Sequence, residues 1–410
     1  MLKILINAYA CSPDMGSEPG MAWNWCLHLA KHCELYIITE GEFKEKIEAV
    51  LPELPQGKNM HFYYNPVSEN IRRMCWNQGD WRFYKYYKEW QWKTYLIGKR
   101  ICEEKRMDVL HQLNMIGFRE PGYLWKLSKE TGIPFVWGPV DAKDKFPMAY
   151  AGDASFKTKA FLWLKNTITC WQLRNSKRVR EAATAGVVFS ASSNSVRSFE
   201  KYMHISSPLI NETGCTMTPN SMDKTKDTST FDILWVGKMD FRKQLGLAIR
   251  AVAKAAQPDI RLHIVGGGDS TSYKQLAEEQ GIGSQCVWHG VVNHNAVQQL
   301  MRQCDLFLFT SVAEGTPHVV LEAIANHLPI LCFDTCGQGD VVNETVGVKI
   351  PLTTPACSVR DLAGKVMHLY SHRECLKTMS ANCSKRQAEL SWDKKAETMV
   401  RWYTKIRHNQ

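Results

Sequence analysis

Short runs of apolar, β-branched and aromatic residues recur along the chain, separated by stretches long enough to hold a helix. Residues 2–9, 34–39, 60–64, 108–113, 134–138 and 186–191 form a first series of such runs; 232–236, 261–265, 286–288, 305–310 and 329–333 form a second. Each has the length of a strand, and a nearly unbroken apolar character suits a strand covered on both faces. Strands alternating with helical stretches predict parallel, doubly wound α/β sheets. Between the series, residues 206–231 are rich in Ser, Thr, Pro, Asp and Lys and read as a linker. The expected division is therefore an N-terminal domain at 1–205, a C-terminal domain at 232–384, and a final segment 385–410. That last segment, with Trp392, Met399, Trp402 and Tyr403, reads as a helix. Ligands of open α/β sheets bind outside the carboxyl ends of the strands, so chemistry is expected in the loops that follow them.

Composition narrows the class. Hydrophobic residues at 44% and charged residues at 22% of the 410 suit packed cores and exclude wholesale disorder. No stretch reaches the roughly 18 consecutive apolar residues of a membrane span. The run at Met1–Tyr9 is too short for a secretory segment and reads as a buried strand. The 14 cysteines contain no Cys-x-x-Cys pair, against a structural zinc site, and several lie inside apolar runs (Cys102, Cys304, Cys332). Free thiols in a reducing compartment are expected, with the cytosol as the location.

The densest chemistry follows the run at 305–310. Glu314-Gly315-Thr316-Pro317-His318 leads into an apolar helical pattern that carries Glu322. Pro317 suits a first helical turn, and Gly315 permits close backbone approach. Amide groups around Gly315, Thr316 and His318 would make an anion site at the helix start. Glu322 could hold a ribose diol and Glu314 a sugar ring, since a carboxylate accepts from two neighbouring hydroxyls. The alternative is a surface helix with two solvated glutamates. Spacing alone decides nothing, because Glu pairs eight apart also occur at 34/42 and 40/48; only 314/322 follows a strand with Gly and Pro between.

After the run at 232–236 come Gly237-Lys238 and Arg242-Lys243, three cations that could clamp a diphosphate or be merely solvated. Gly266-Gly267-Gly268-Asp269 lacks the dinucleotide-binding spacing and reads as tight-turn glycines, which makes a nicotinamide oxidoreductase remote. His289-Gly290-Val291 ends a strand where main-chain groups could read a base edge or form an ordinary strand end. In the first half, Gly16 and Gly20 flank Glu18 in a βα loop, open to a phosphate or acceptor or serving only to start a helix. His111 stands near the end of the run at 108–113, a place where a lone histidine is more often structural. Arg119 lies in a further loop on this face.

Residues 232–345 resemble the C-terminal domain of retaining nucleotide-sugar glycosyltransferases of family 4. The residues that carry the resemblance are Val236-Gly237-Lys238 with Arg242-Lys243, Ile264-Val265-Gly266, His289-Gly290 and Glu314…Glu322. The resemblance implies the GT-B fold, two facing Rossmann-like α/β domains with an interdomain cleft. It implies that Glu314 contacts the donor sugar, Glu322 the ribose, and Lys238 and Lys243 the diphosphate, with Gly16 lying against that diphosphate and His111 beside the reacting sugar. Glu18 and Arg119 fall to the acceptor side. Lys238 stands where the family often has Arg, and His318 where it often has Asn.

The expected function is a retaining, metal-independent transfer of sugar from a nucleotide diphosphate, uridine before guanosine, to a glycan or lipid-linked acceptor. No Asp-x-Asp occurs to bind a metal with the nucleotide, and no cofactor is expected. A GT-B epimerase or phosphorylase and a non-catalytic two-lobed binding protein are the rivals. The net charge of +10 is too modest for a nucleic-acid partner with no recognition module visible. It concentrates in two stretches. Residues 71–100 hold eight Lys or Arg against Asp80 and Glu89, with Phe83, Tyr86, Tyr87, Trp90 and Ile97 at helical spacing; residues 156–180 hold seven and no acid, with Phe161, Leu164, Ile168 and Trp171 on one face. Such helices suit an anionic membrane surface or a lipid diphosphate; alternatively the aromatic stripes pack on the sheet.

Overall fold

The computed structural model describes residues 1–77, 79–142, 145–152, 154–216 and 229–408. The second half of the expected linker, 217–228, lies outside these. The chain divides into a first unit of 1–144, 170–213 and 392–410 and a second of 145–169 and 214–391. The division is discontinuous: residues 145–169 group with the second unit and the C-terminal helix Trp392–His408 with the first.

The first unit contains β1 (Leu2–Ala8), β2 (Cys33–Thr39), β3 (Met60–Tyr64), β4 (Val109–Asn114), β5 (Phe135–Val140) and β6 (Val187–Ser190). They pair in parallel in the order β3-β2-β1-β4-β5-β6. The second unit contains β7 (Phe231–Val236), β8 (Ile260–Val265), β9 (Cys286–Gly290), β10 (Leu306–Phe309), β11 (Ile330–Phe333) and β12 (Gly347–Ile350), in the order β12-β11-β10-β7-β8-β9. Read from its own first strand, each sheet has the doubly wound order 3-2-1-4-5-6, reversing between β1 and β4 and between β7 and β10. Strand β12 was not anticipated: Gly347 and Lys349 break the apolar run of a four-residue edge strand.

Burial follows from helices on both faces. In β1 the last five residues are buried, and β4, β5, β10 and β11 are buried throughout. The helix Ser17–Leu29 buries Met21, Ala22, Trp25 and Leu29. The helix Trp392–His408 buries Trp392, Ala396, Met399 and Tyr403, one stripe at helical spacing, into the same cluster. Trp392 meets Trp25 edge-on at 5.9 Å, and Asp393 accepts from Lys31 Nζ at 2.5 Å and lies 2.7 Å from His28 Nδ1. All 14 cysteines are free thiols. Among the described residues no helix is long and apolar enough to cross a membrane.

In the second unit the loops that follow β7, β8 and β9 are laced together by backbone bonds: Gly237 N–H to Val265 O at 3.0 Å, Met239 N–H to Gly267 O at 2.8 Å and Gly266 N–H to Gly290 O at 2.8 Å. This requires the glycines. Gly266 has φ +141° and Gly268 φ +125°, and a β-carbon on Gly266 would lie 1.8 Å from the Gly237 carbonyl oxygen. The tight-turn expectation holds. Gly266→Ala is therefore expected to cost about 2 kcal/mol or more through backbone strain and collision, read as a lowered thermal unfolding midpoint. An unchanged midpoint would remove this account of the loop.

Candidate functional site

The reversal between β7 and β10 places the loop after β7 beside the loop after β10, and the backbone joins them. Val312 N–H donates to Arg242 O at 3.0 Å, and the Thr310 hydroxyl to Lys243 O at 2.7 Å. Thr310 is fully buried and itself accepts from Trp235 Nε1 at 3.0 Å, so the strand end is fixed from beneath.

On this platform Lys243 Nζ lies 2.5 Å from Glu314 Oε1, both side chains about one-fifth exposed. The ammonium also stands over the Phe309 ring, 5.5 Å from its centroid. The Ser311 hydroxyl donates to the same Glu314 oxygen at 2.6 Å. Ser311 in turn is held by buried Gln338, whose Nε2 donates to the Ser311 carbonyl at 3.0 Å, while Gln338 Oε1 has no partner among the described residues. Gly337 N–H donates to Gly315 O at 3.0 Å, locking the loop from the next βα connection.

The helix after this loop is His318–Ala325. Pro317, expected in its first turn, is instead the residue before it, with extended backbone (φ −72°, ψ 121°). Thr316 and Pro317 are buried and His318 is exposed. Glu322 is half-buried in the second turn, its Oε2 accepting from Gln298 Nε2 at 3.3 Å. Gln298 accepts in turn from Asn326.

The other cations differ in setting. Lys238 is exposed in the loop after β7. Arg242 is gripped by Asp240, with Nη2 to Oδ2 at 2.7 Å, so its guanidinium is already committed within its own loop. Val291 is 81% exposed at the end of β9, over Gly267. Behind it His289 stacks on His263. His263 Nε2 lies 3.2 Å from Asp232 Oδ1, and its Nδ1 lies 3.0 Å from His289 Nε2. Sequence reading missed Ser311, Gln338, Gln298 and this relay; a hydroxyl three residues before Glu314 was the one local signal.

In the first unit His111 is not presented to a ligand, contrary to the place beside a reacting sugar. It is fully buried. Gly138 O can only accept, so Nε2 donates to it at 2.6 Å and Nδ1 accepts from the Tyr403 hydroxyl at 2.5 Å. Nδ1 is spent on the C-terminal helix and Nε2 on β5. Gly16 is the exposed cap residue of the helix Ser17–Leu29, and a β-carbon placed on it would meet nothing within 4 Å.

Glu18 accepts from Ile116 N–H at 2.9 Å, joining the loops at the β1/β4 reversal. Burial pushes its carboxyl up to about 7, with the Glu212 and Asp141 carboxylates adding to the rise. It lines a cavity of about 210 Å³ together with Tyr9, Glu40, Glu42, Trp76 and Met115. Glu40 is saturated by Arg72 at 2.9 Å and the Val67 and Glu42 amides at 3.0 Å, and Glu42 accepts from Trp76 Nε1 at 2.9 Å. Arg119 donates through Nε to Gln172 at 2.7 Å, and its guanidinium lies 4.9 Å from the Phe118 ring centroid.

Residues 218–386 match the family model of glycosyl transferases group 1. Over this stretch, less than half of the chain, the protein is similar to that family. An uncharacterized glycosyltransferase of Methanocaldococcus jannaschii is 27% identical over 176 residues, 42% of this chain and 44% of that one. The lipopolysaccharide glucosyltransferase WaaG of Escherichia coli is 32% identical over 115 residues, 27% of this chain and 30% of that one. The matched stretches thus span less than half of these curated relatives. The solved lipopolysaccharide outer core galactosyltransferase WaaB, in its apo form, superposes with a TM-score of 0.65 at 15% identity, covering 97% of this chain and 99% of that one. HepE of Anabaena in complex with UDP gives 0.62 at 12% identity, covering 99% and 100%. At such identities the likeness is one of fold, and the fold is GT-B, as the sequence led one to expect.

The neutral His111 carries a measurable signature. Burial lowers its pKa from 6.5 to about 4. Between those values the unfolded chain binds a proton that the folded chain refuses, so stability is complete above pH 6.5 and lost as pH falls toward 4. Roughly 3 kcal/mol is at stake. Glu18, raised, contributes the opposite slope between 4.5 and about 7, so the informative quantity is wild type minus His111→Gln in urea unfolding at several pH values. That difference should shrink on acidification; a constant difference would contradict the buried neutral imidazole.

Proposed function

We propose that the chain is a retaining glycosyltransferase that transfers a sugar from a nucleoside-diphosphate donor to a hydroxyl of a glycan or lipid-linked oligosaccharide in surface polysaccharide synthesis. Uridine donors come first and guanosine donors second. The observation that carries the reading is the Lys243–Glu314 pair, 2.5 Å apart at the reversal between β7 and β10. An ammonium held with little freedom, partly out of water, stabilises negative charge developing on a departing diphosphate more strongly than a solvated lysine would. Arriving phosphate oxygens can take over Lys243, releasing Glu314 to accept from hydroxyls of the donor sugar while Ser311 keeps it oriented. Lys238 and the amides of Gly315, Thr316 and His318 add positive potential at the helix start. Glu322 is suited to a ribose diol, and Gly237 and Val291 to the walls of the nucleotide site.

Because ammonium and amide groups carry this charge, the proposal needs no divalent cation. The acceptor attacks on the face the phosphate leaves, so anomeric configuration is kept. Glu18, near half-protonated at neutral pH, can accept from or donate to an acceptor hydroxyl in the cavity it lines. The UDP complex of HepE and the lipopolysaccharide activities of WaaG and WaaB support a nucleotide-sugar donor and a surface-glycan acceptor. The working place we assign is the cytoplasm, in peripheral contact with an anionic membrane.

Glu314→Ala should lower turnover on the order of 100-fold or more in a protein that still folds, as an unchanged far-ultraviolet circular dichroism spectrum would show. Lys243→Ala should weaken UDP binding about tenfold, seen as a reduced UDP-induced rise in unfolding temperature. Full activity of Glu314→Ala with the accepted donor would remove the assignment. Turnover should also persist in excess EDTA; loss restored by a divalent cation would overturn the metal-independent part.

A further inference from the structure

The two basic, aromatic stretches look alike in sequence but are used differently. In the helix Phe83–Glu104 the stripe Phe83, Tyr87 and Trp90 is buried and packs against Tyr9. In the helix Phe156–Asn175 the buried stripe is another one: Leu162, Thr169 and Leu173 are buried and Asn166, half-buried between them, bonds the Phe146 backbone. At about 3.6 residues per turn these four residues form one narrow line. The rest of the circumference carries the large apolar side chains in solvent: Phe156 is 85% exposed, Trp163 and Trp171 64% each, Phe161 61%, with Leu164 and Ile168 also exposed.

We infer that the outward face of the helix Phe156–Asn175 is a docking surface for the headgroup region of an anionic lipid bilayer. This deepens the peripheral-membrane part of the reading above and does not depend on the transfer chemistry. Charge selects the partner. Residues 156–180 contain seven Lys or Arg and no acid, a density that repels a second copy of the same face and suits a surface of like anionic headgroups. Helical geometry puts Lys159 and Lys165 on either shoulder of the buried stripe, with Lys157 within the apolar arc. Long cationic stems reach from such positions to headgroups while the rings settle at the acyl boundary. Tryptophan, amphipathic in itself, is favoured at that depth. A helix lying flat in this way needs no membrane-spanning length, in keeping with the absence of a spanning helix among the described residues.

The test is co-sedimentation of the full chain with vesicles of phosphatidylcholine alone and of phosphatidylcholine with an equal part of phosphatidylglycerol. Binding is expected to the mixed vesicles, weakened by added salt, and at least about tenfold weaker to the neutral ones. Trp163→Ser with Trp171→Ser, both at exposed positions, should reduce binding to mixed vesicles about tenfold, and so should Lys157→Glu with Lys159→Glu. The UDP-induced rise in unfolding temperature should remain in both double variants. Wild-type protein that ignores the mixed vesicles, or double variants that bind as wild type does, would overturn the inference. So would a concentration-dependent dimer in sedimentation velocity that the tryptophan substitutions dissolve, which would assign the face to a second copy. Failure of the glycosyltransferase reading would show instead as absent nucleotide binding with vesicle binding intact.

Discussion

A lysine ammonium and a glutamate carboxylate held 2.5 Å apart at the carboxyl end of a parallel sheet have to be fixed there by the backbone. Taking both charges partly out of water costs several kcal/mol, and their attraction repays this only with good geometry and further hydrogen bonds. The second unit supplies both. Thr310 and Val312 tie the two loops together through main-chain oxygens of Arg242 and Lys243, and Ser311 gives Glu314 a second donor. Gln338 and Gly337, from the following connection, hold Ser311 and Gly315. The pair therefore depends on the loops after three neighbouring strands, β7, β10 and β11, meeting at one point, which the reversal in strand order provides.

The same topology serves the first unit in another way. At its reversal the loops after β1 and β4 are joined by Glu18 and the Ile116 amide, and the desolvated carboxyl titrates near neutrality. One layer below, His111 gives one hydrogen bond to Gly138 O in β5 and takes one from Tyr403 of the helix Trp392–His408. A neutral imidazole is the side chain that can give one hydrogen bond and take another across a buried helix–sheet contact. Its protonation would leave two donors against one hydroxyl and one carbonyl, and burial opposes it.

Surface use is decided by the same competition between burial and exposure. In the helix Phe83–Glu104 the aromatic stripe is the core face, enclosing Tyr9 among Phe83, Tyr87 and Trp90. In the helix Phe156–Asn175 small and aliphatic residues take the inward line, and the rings are left in water. Six large exposed apolar groups on one short helix are costly to hydrate, and the surrounding cations define what can cover them.

The sequence by itself determined the places of eleven of the twelve strands along the chain, the strand–loop–helix around Glu314, the turns at Gly266 and Gly268, and the clustering of Lys238, Arg242 and Lys243 after β7. These are local properties: strand length, glycine at positive φ, charge beside a strand end. Tertiary structure alone decided that Lys243 rather than Arg242 meets Glu314, since Asp240 claims the guanidinium first. It decided that His111 is a packing residue, because its partner Tyr403 lies 292 residues away. It recruited Gln338 and Gln298, whose neighbours in sequence say nothing of a site, and added β12, whose pairing with β11 makes a strand of a segment with little apolar pattern. And it chose which stripe of each aromatic helix turns inward. Periodicity names the faces of a helix, but only the element packed against it determines which face loses its water.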